Sequence, residues 1–365
     1  MFTQPPLDTL VESLSDTSRS IGERMRAVYY MKTAYNSAAK SPNSSNSADI
    51  NLILSTLSTN LSNRTHGKLL LHEVAYVMGQ LKDYNCLRPL ADCLDDPDQD
   101  CIARHEAAEA IGAIIGAPDP LATHAVEVLK KNESNPAELV EVRETCRIAL
   151  DFISWKQSST SSDENTAPMA CACMLSSYDS TDPAPPHPMH ESVSHEEIGF
   201  SMRDENTPLF QRYRCMFSLR NKGGSEAAIQ LGRALVEDES SALFRHELAF
   251  VLGQLQHKDG LEYLVKSLER ENEHEFVRHE SAEAIGAIDG DWEACEEILK
   301  RFLNDRELIV RQSCEVALDA MDYFRVFKQN DEEGEDEDKD DVDSFAKIKN
   351  ESTVTSHFNI AGKQS

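Results

Sequence analysis

No run in the 365-residue sequence is apolar for long enough to cross a bilayer, and no basic segment followed by an apolar one opens it. The expectation is a chain with no membrane association, cytoplasmic, with the nucleus as a second location. Basic residues are scarce: Lys and Arg total 36 against 64 Asp and Glu, a formal net charge of −28. A surface of that sign repels nucleic-acid phosphates and suits basic partners or cationic substrates. Aromatic residues contribute only 7% within a hydrophobic content of 40%, an ordinary balance for a helix-rich protein. No segment sustains the period-two alternation of a half-buried strand, so β-structure is not expected. The nine Cys are odd in number and form no regular framework, which fits free thiols in a reducing compartment. Cys171-Ala172-Cys173 has metal-like spacing but no second pair, and it reads as incidental.

What the chain does have is helical periodicity. Apolar spacing predicts helices over 7–14, 21–35, 50–61, 66–81, 87–94, 102–115, 121–131 and 137–153. It predicts a second set over 208–220, 226–236, 242–255, 261–268, 275–288, 295–303 and 307–328. Residues 36–49, rich in Ser, Asn and Ala, have little to bury and predict a flexible insertion. Residues 154–200 carry Ser and Thr runs and then Asp182-Pro183-Ala184-Pro185-Pro186-His187-Pro188, which cannot continue a helix. The expected organisation is an N-terminal half over 1–153, a disordered linker over 154–200, a C-terminal half over 201–328 and an acidic disordered tail over 329–365.

The two halves repeat one element. Phe276-Val277-Arg278-His279-Glu280-Ser281-Ala282-Glu283-Ala284-Ile285-Gly286 has a near copy in Ile102-Ala103-Arg104-His105-Glu106-Ala107-Ala108-Glu109-Ala110-Ile111-Gly112. Looser copies are His72-Glu73 with Gly79-Gln80-Leu81, and His246-Glu247 with Gly253-Gln254-Leu255. His72 to His105 and His246 to His279 are each 33 positions; His72 to His246 and His105 to His279 are each 174. Helix pairs at a period near 33, rich in Ala and Leu, predict an all-α HEAT-repeat α-solenoid. It has two pseudo-symmetric halves of about four helical hairpins each. Between 82–103 and 256–277 the halves agree only at Leu87/Leu261, Leu90/Leu264 and Leu94/Leu268, the core spacing of a helix. The surface there has drifted, whereas the His-Glu pairs have not.

A lone His-Glu is ordinarily a surface dipeptide, and a binding scaffold with four surface pairs is one reading. The other is ligation. Imidazole and carboxylate together suit borderline first-row cations, and around open positions they suit ferrous iron. Adjacent helical residues project about 100° apart, so the two members of a pair can serve different roles. Four His and four Glu exceed what one ion needs, and a catalytic zinc takes only about three protein ligands. Four clustered carboxylates call for about two divalent cations, so a dinuclear centre joining the halves is the economical expectation. Gly79, Gly112, Gly253 and Gly286 share the face of their His. Close helix packing is the bland explanation; at Gly79 and Gly253 the alternative is room for a slim substrate. Glu109 and Glu283, four residues after their His, could orient it from behind or could face solvent.

Arg-His-Glu-x-Ala-Glu-Ala-Ile-Gly-Ala-Ile at 104–114 and 278–288 resembles the deoxyhypusine hydroxylase family of HEAT-repeat di-iron monooxygenases. Arg212-Tyr213-Arg214-Cys215-Met216-Phe217-Ser218-Leu219-Arg220-Asn221 carries the likeness further, with a weaker partner helix over 24–32. The resemblance implies two Fe(2+) ions and dioxygen, used to hydroxylate deoxyhypusine on translation initiation factor 5A to hypusine. Carried onto this chain, it implies the metal-site residues His72, Glu73, His105, Glu106, His246, Glu247, His279 and Glu280. About six protein ligands suffice for two octahedral ions, and the resemblance implies that Glu106 and Glu280 lean toward the substrate's ammonium groups.

Overall fold

The structure, a computed structural model, describes residues 5–40, 44–117, 119–160, 178 and 180–333. In the first half, helices α1 (Leu7–Ser15), α2 (Ile21–Lys40), α3 (Ser44–Leu61), α4 (Lys68–Leu81), α5 (Leu87–Asp95), α6 (Cys101–Ile114), α7 (Pro120–Ser134) and α8 (Val140–Thr160) follow in order. The second half continues with α9 (His195–Arg203), α10 (Leu209–Lys222), α11 (Gly224–Glu237) and α12 (Ala242–Leu255). It closes with α13 (Leu261–Glu269), α14 (Glu275–Ala287), α15 (Trp292–Arg301) and α16 (Leu308–Glu333). Among the described residues there is no strand. A HEAT-repeat all-α fold is what the periodicity predicted.

The chain divides into two compact units: Met1–Leu175 with Thr181–Pro188 and Thr207–Phe217, and Ser176–Ser180 with Met189–Asn206 and Ser218–Ser365. In the first, α2, α4, α6 and α8 pack side by side as one layer, and α1, α3, α5 and α7 form the other. In the second, α12, α14 and α16 make one layer and α9, α11 and α13 the other, with α15 against α14 and α16. The apolar stripes meet between layers: Leu69, Leu70, Val74, Val77, Leu90 and Leu94 are fully buried in the first unit. Each such side chain contributes roughly 1.5–3 kcal/mol.

Local chemistry sets the helix ends. Asp100, Asp119 and Ser241 accept backbone N–H bonds at the starts of α6, α7 and α12, and Pro120 opens α7. Lys82 and Gln256, at matching places after α4 and α12, adopt left-handed φ of 54° and 55° and end their helices alike. Close approach of successive second helices explains the glycines. A Cβ on Gly79 would sit 2.8 Å from the Ala110 Cβ and 2.9 Å from its Cα. Gly112 meets Ala149, and Gly286 meets Ala317, in the same way.

Three expectations need correction. Residues 36–49 are not a loose insertion where described: α2 runs on to Lys40 and α3 begins at Ser44. Ala38 is buried there, and the Asn46 amide reaches its carbonyl oxygen. The stretch 154–200 is not wholly a linker, since α8 continues to Thr160 and α9 starts at His195 behind a Ser194–Glu197 capping box. Residues 183–186 are buried, with Arg214 donating to the Pro185 and Pro186 carbonyls. These prolines bring no N–H to satisfy, and the single Arg214 guanidinium supplies donors for both carbonyls. The acidic tail beyond Glu333 lies outside the described residues, although α16 carries its first five positions as helix.

Candidate metal centres

The residue before the imidazole anchors it. Arg104 Nε donates to the Leu94 carbonyl at the end of α5, 2.9 Å away, and the two Nη atoms clasp Glu138 at 2.8 and 2.6 Å. Burial alone would raise the Glu138 carboxyl, but the Arg104 bonds and charge hold it below the usual range. Arg278 does the same in α14, reaching the Leu268 carbonyl and both oxygens of Asp305. Arg245 in α12 pairs with Glu273 through two nitrogens. Such bidentate, buried pairs allow one register only, so the His that follows faces a defined direction.

In the first unit that direction is toward the neighbouring repeat. His72 Nε2 lies 3.2 Å from Glu106 Oε2, and His105 Nε2 lies 3.6 Å from the same oxygen. The two rings stack with centroids 5.7 Å apart. Behind them, each Nδ1 has its own neighbour: Glu73 Oε1 at 3.1 Å for His72, and the Thr145 hydroxyl at 3.3 Å for His105. Thr145 donates to the Glu141 carbonyl, so its oxygen accepts from an Nδ1–H. Tyr29 donates to the other Glu73 oxygen. Burial would push His72 down, but Glu106 and then Glu73 outweigh it and bring the imidazole up to about 10. The carboxylates demand positive charge here, which a proton or a divalent cation can supply.

The second unit repeats the pattern. His246 Nε2 lies 3.5 Å from Glu280 Oε2, and donor atoms of His246, His279 and Glu280 all fall within 4.8 Å of one another. Phe276 stacks on His246 at 4.0 Å with rings 3° from parallel. Glu283 Oε1 stands 3.6 Å from His279 Nδ1 and accepts a 2.7 Å hydrogen bond from Ser313.

Comparison with known proteins decides the family. The HEAT repeats family matches residues 228–319. Deoxyhypusine hydroxylase of Mus musculus is 37% identical over 326 residues, covering 88% of this chain and 94% of its own. The Danio rerio protein of that name is 43% identical over 260 residues, covering 70% and 77%. The chain belongs to the deoxyhypusine hydroxylase family. A solved structure of human deoxyhypusine hydroxylase in complex with glycerol matches with a TM-score of 0.71 at 36% identity, covering 87% of this chain and 96% of that one.

All eight His and Glu expected at the metal sites of this deoxyhypusine hydroxylase family chain are buried, Glu106 with 4% exposure, and so is Glu283. Glu106 and Glu280 sit beside the imidazoles of His72 and His246, while Glu73 turns back to Tyr29 and His72 Nδ1. Gly79 leaves no room for substrate, because Ala110 fills the space. Gly253 is buried within α12. Glu109 is half-buried with a ligand atom within 4.8 Å of those of His105 and Glu106, and Glu283 accepts from the Ser313 hydroxyl behind His279. Tyr29, Thr145, Ser313 and Phe276 escaped sequence reasoning. Thr145 and Ser313 were signalled by their matched places in Val-Arg-x-x-Cys at 142–146 and 310–314.

Two imidazoles and one carboxylate, all buried, fit a divalent first-row cation in each unit.

Proposed function

We propose that the protein hydroxylates deoxyhypusine on translation initiation factor 5A, giving hypusine, with dioxygen as the oxidant and two ferrous ions as the source of the electrons that activate it. One ion would be held by His72, His105 and Glu106, the other by His246, His279 and Glu280. The observation that supports this best is the matched His-His-Glu cluster in each unit of a chain from this family. Zinc hydrolysis finds less support, since two 2-His-1-carboxylate clusters suit ferrous oxygenase chemistry better.

Bound ferrous iron supplies the electrons that activate dioxygen for insertion into a C–H bond. The chain's own residues do the rest. Glu73, Thr145 and Glu283 stand at Nδ1 of His72, His105 and His279, which leaves each Nε2 as the ligating atom. Glu247, a further buried carboxylate of the second unit, would attract the substrate ammonium. The net charge of −28 favours approach of a basic protein loop. Burial of both clusters excludes bulk water, so oxidation is confined to the bound side chain.

The test is anaerobic reconstitution with ferrous iron, then oxygen and a deoxyhypusine-bearing substrate protein. Mass spectrometry should record the gain of one oxygen atom on that residue; an unmodified substrate after iron loading overturns the assignment.

A further inference from the structure

We infer that Tyr29 is a positioning residue of the first cluster, acting on His72 through Glu73; this rests on the reading that the cluster holds a divalent cation. Tyr29 lies on α2, which packs beside α4, and is 4% exposed, while Glu73 and His72 are both at 0%. Its phenol O–H donates to Glu73 Oε2. Glu73 Oε1 stands 3.1 Å from His72 Nδ1, and on the far side of that ring Nε2 is 3.2 Å from Glu106 Oε2. Phenol, carboxylate, imidazole and carboxylate therefore form one buried line ending where the cation would sit.

The line has a mechanical purpose. A carboxylate at Nδ1 keeps the proton on that nitrogen, leaves the Nε2 lone pair for an ion and restrains rotation of the ring. Neighbours on one helix project about 100° apart, so helix geometry alone does not hold Glu73 against the ring of His72. An anchor on another helix can, and Tyr29 is that anchor. A swing of Glu73 away from His72 would have to break a buried hydrogen bond to a charged group.

The hydroxyl belongs to the first half alone. Pairing residues 24–32 with 212–220 sets Phe217 in the place of Tyr29, a ring with nothing to donate. Exchange of Tyr for Phe is therefore a change the repeat already accommodates, and it removes one oxygen without altering the packing volume much.

The experiment uses the full-length protein, stripped of metal and titrated anaerobically with Fe(2+) alone against a competing chelator. Tyr29→Phe should weaken one of the two ions by roughly 10–100-fold, the usual loss when a partner behind a ligand is removed, and leave the other unchanged. Glu73→Gln should weaken the same ion, and in that background Tyr29→Phe should add little. If Tyr29→Phe does not fold, Glu73→Gln alone still decides, because unchanged affinity of both ions in that variant overturns the inference. Unchanged affinities in folded Tyr29→Phe, or equal weakening of both ions, overturn the positioning role and leave the metal reading standing. A wild-type protein that takes up no iron overturns both.

Discussion

Glu106 Oε2 approaches His72 Nε2 to 3.2 Å although the two residues stand on different helices of successive repeats. Glu280 and His246 repeat the relationship at 3.5 Å. Each carboxylate thus reaches back one repeat, and the chemistry of a His-Glu pair is divided between its own repeat and the one before. The His-His-Glu arrangement takes its members from two stacked repeats.

Glu106→Gln should therefore cost the protein one ion of two, and Glu280→Gln the other, with the double variant holding neither. Iron stoichiometry after anaerobic loading measures this. Two ions retained at wild-type affinity in either single variant would remove that Glu from the cluster. His105→Ala should likewise lose one ion and the hydroxylation while circular dichroism shows unchanged helical content.

Arg104→Met strips Glu138 of its bidentate partner inside the protein, where its side chain is 8% exposed. Breaking a buried pair from one side costs about 3–5 kcal/mol. Urea denaturation should show a loss of that order, and the first cluster should bind iron more weakly because α6 is no longer clasped. A loss below about 1 kcal/mol would mean the pair behaves as a surface one.

Gly79→Ala should destabilise the fold by about 1–3 kcal/mol through overpacking, since the new Cβ would lie 2.9 Å from the Ala110 backbone. Thermal melting reads the effect. An unchanged melting temperature would show spare room between α4 and α6.

Lys156 carries a pH dependence. Its ammonium donates to the Gly112 carbonyl at 2.7 Å, and burial, aided by the Lys82 charge, pushes it down to about 8 from 10.5. A lysine whose folded value lies below its unfolded one binds fewer protons when folded, so its contribution to stability rises with pH between about 8 and 10.5. Lys156→Met should flatten the stability profile in that window alone, as seen in denaturant midpoints taken across it. A slope identical to wild type would show that the amine titrates normally.

Much of this protein is written along the chain. The 33-residue period, the 174-residue offset between halves and the eight His and Glu follow from counting positions, because a solenoid repeats its contacts and so repeats its residues. Arg104 and Arg278 were visible as the residue before the imidazole in the two near copies, though not what they grip, because Glu138 and Asp305 stand about thirty residues further along the chain. Helix α9 was hidden because its nine residues follow a proline-rich stretch and offer too few apolar positions to register.

What composition and spacing determined by themselves was the helical repeat, the acidic character and the list of candidate ligands. Which carboxylate joins the imidazoles, which turns to Tyr29, and why Gly79 had to be Gly were decided only by how neighbouring helices pack. The reason is one of range: periodicity reports which face of a helix a residue occupies, whereas a donor atom is aimed by side chains from another repeat about thirty residues away.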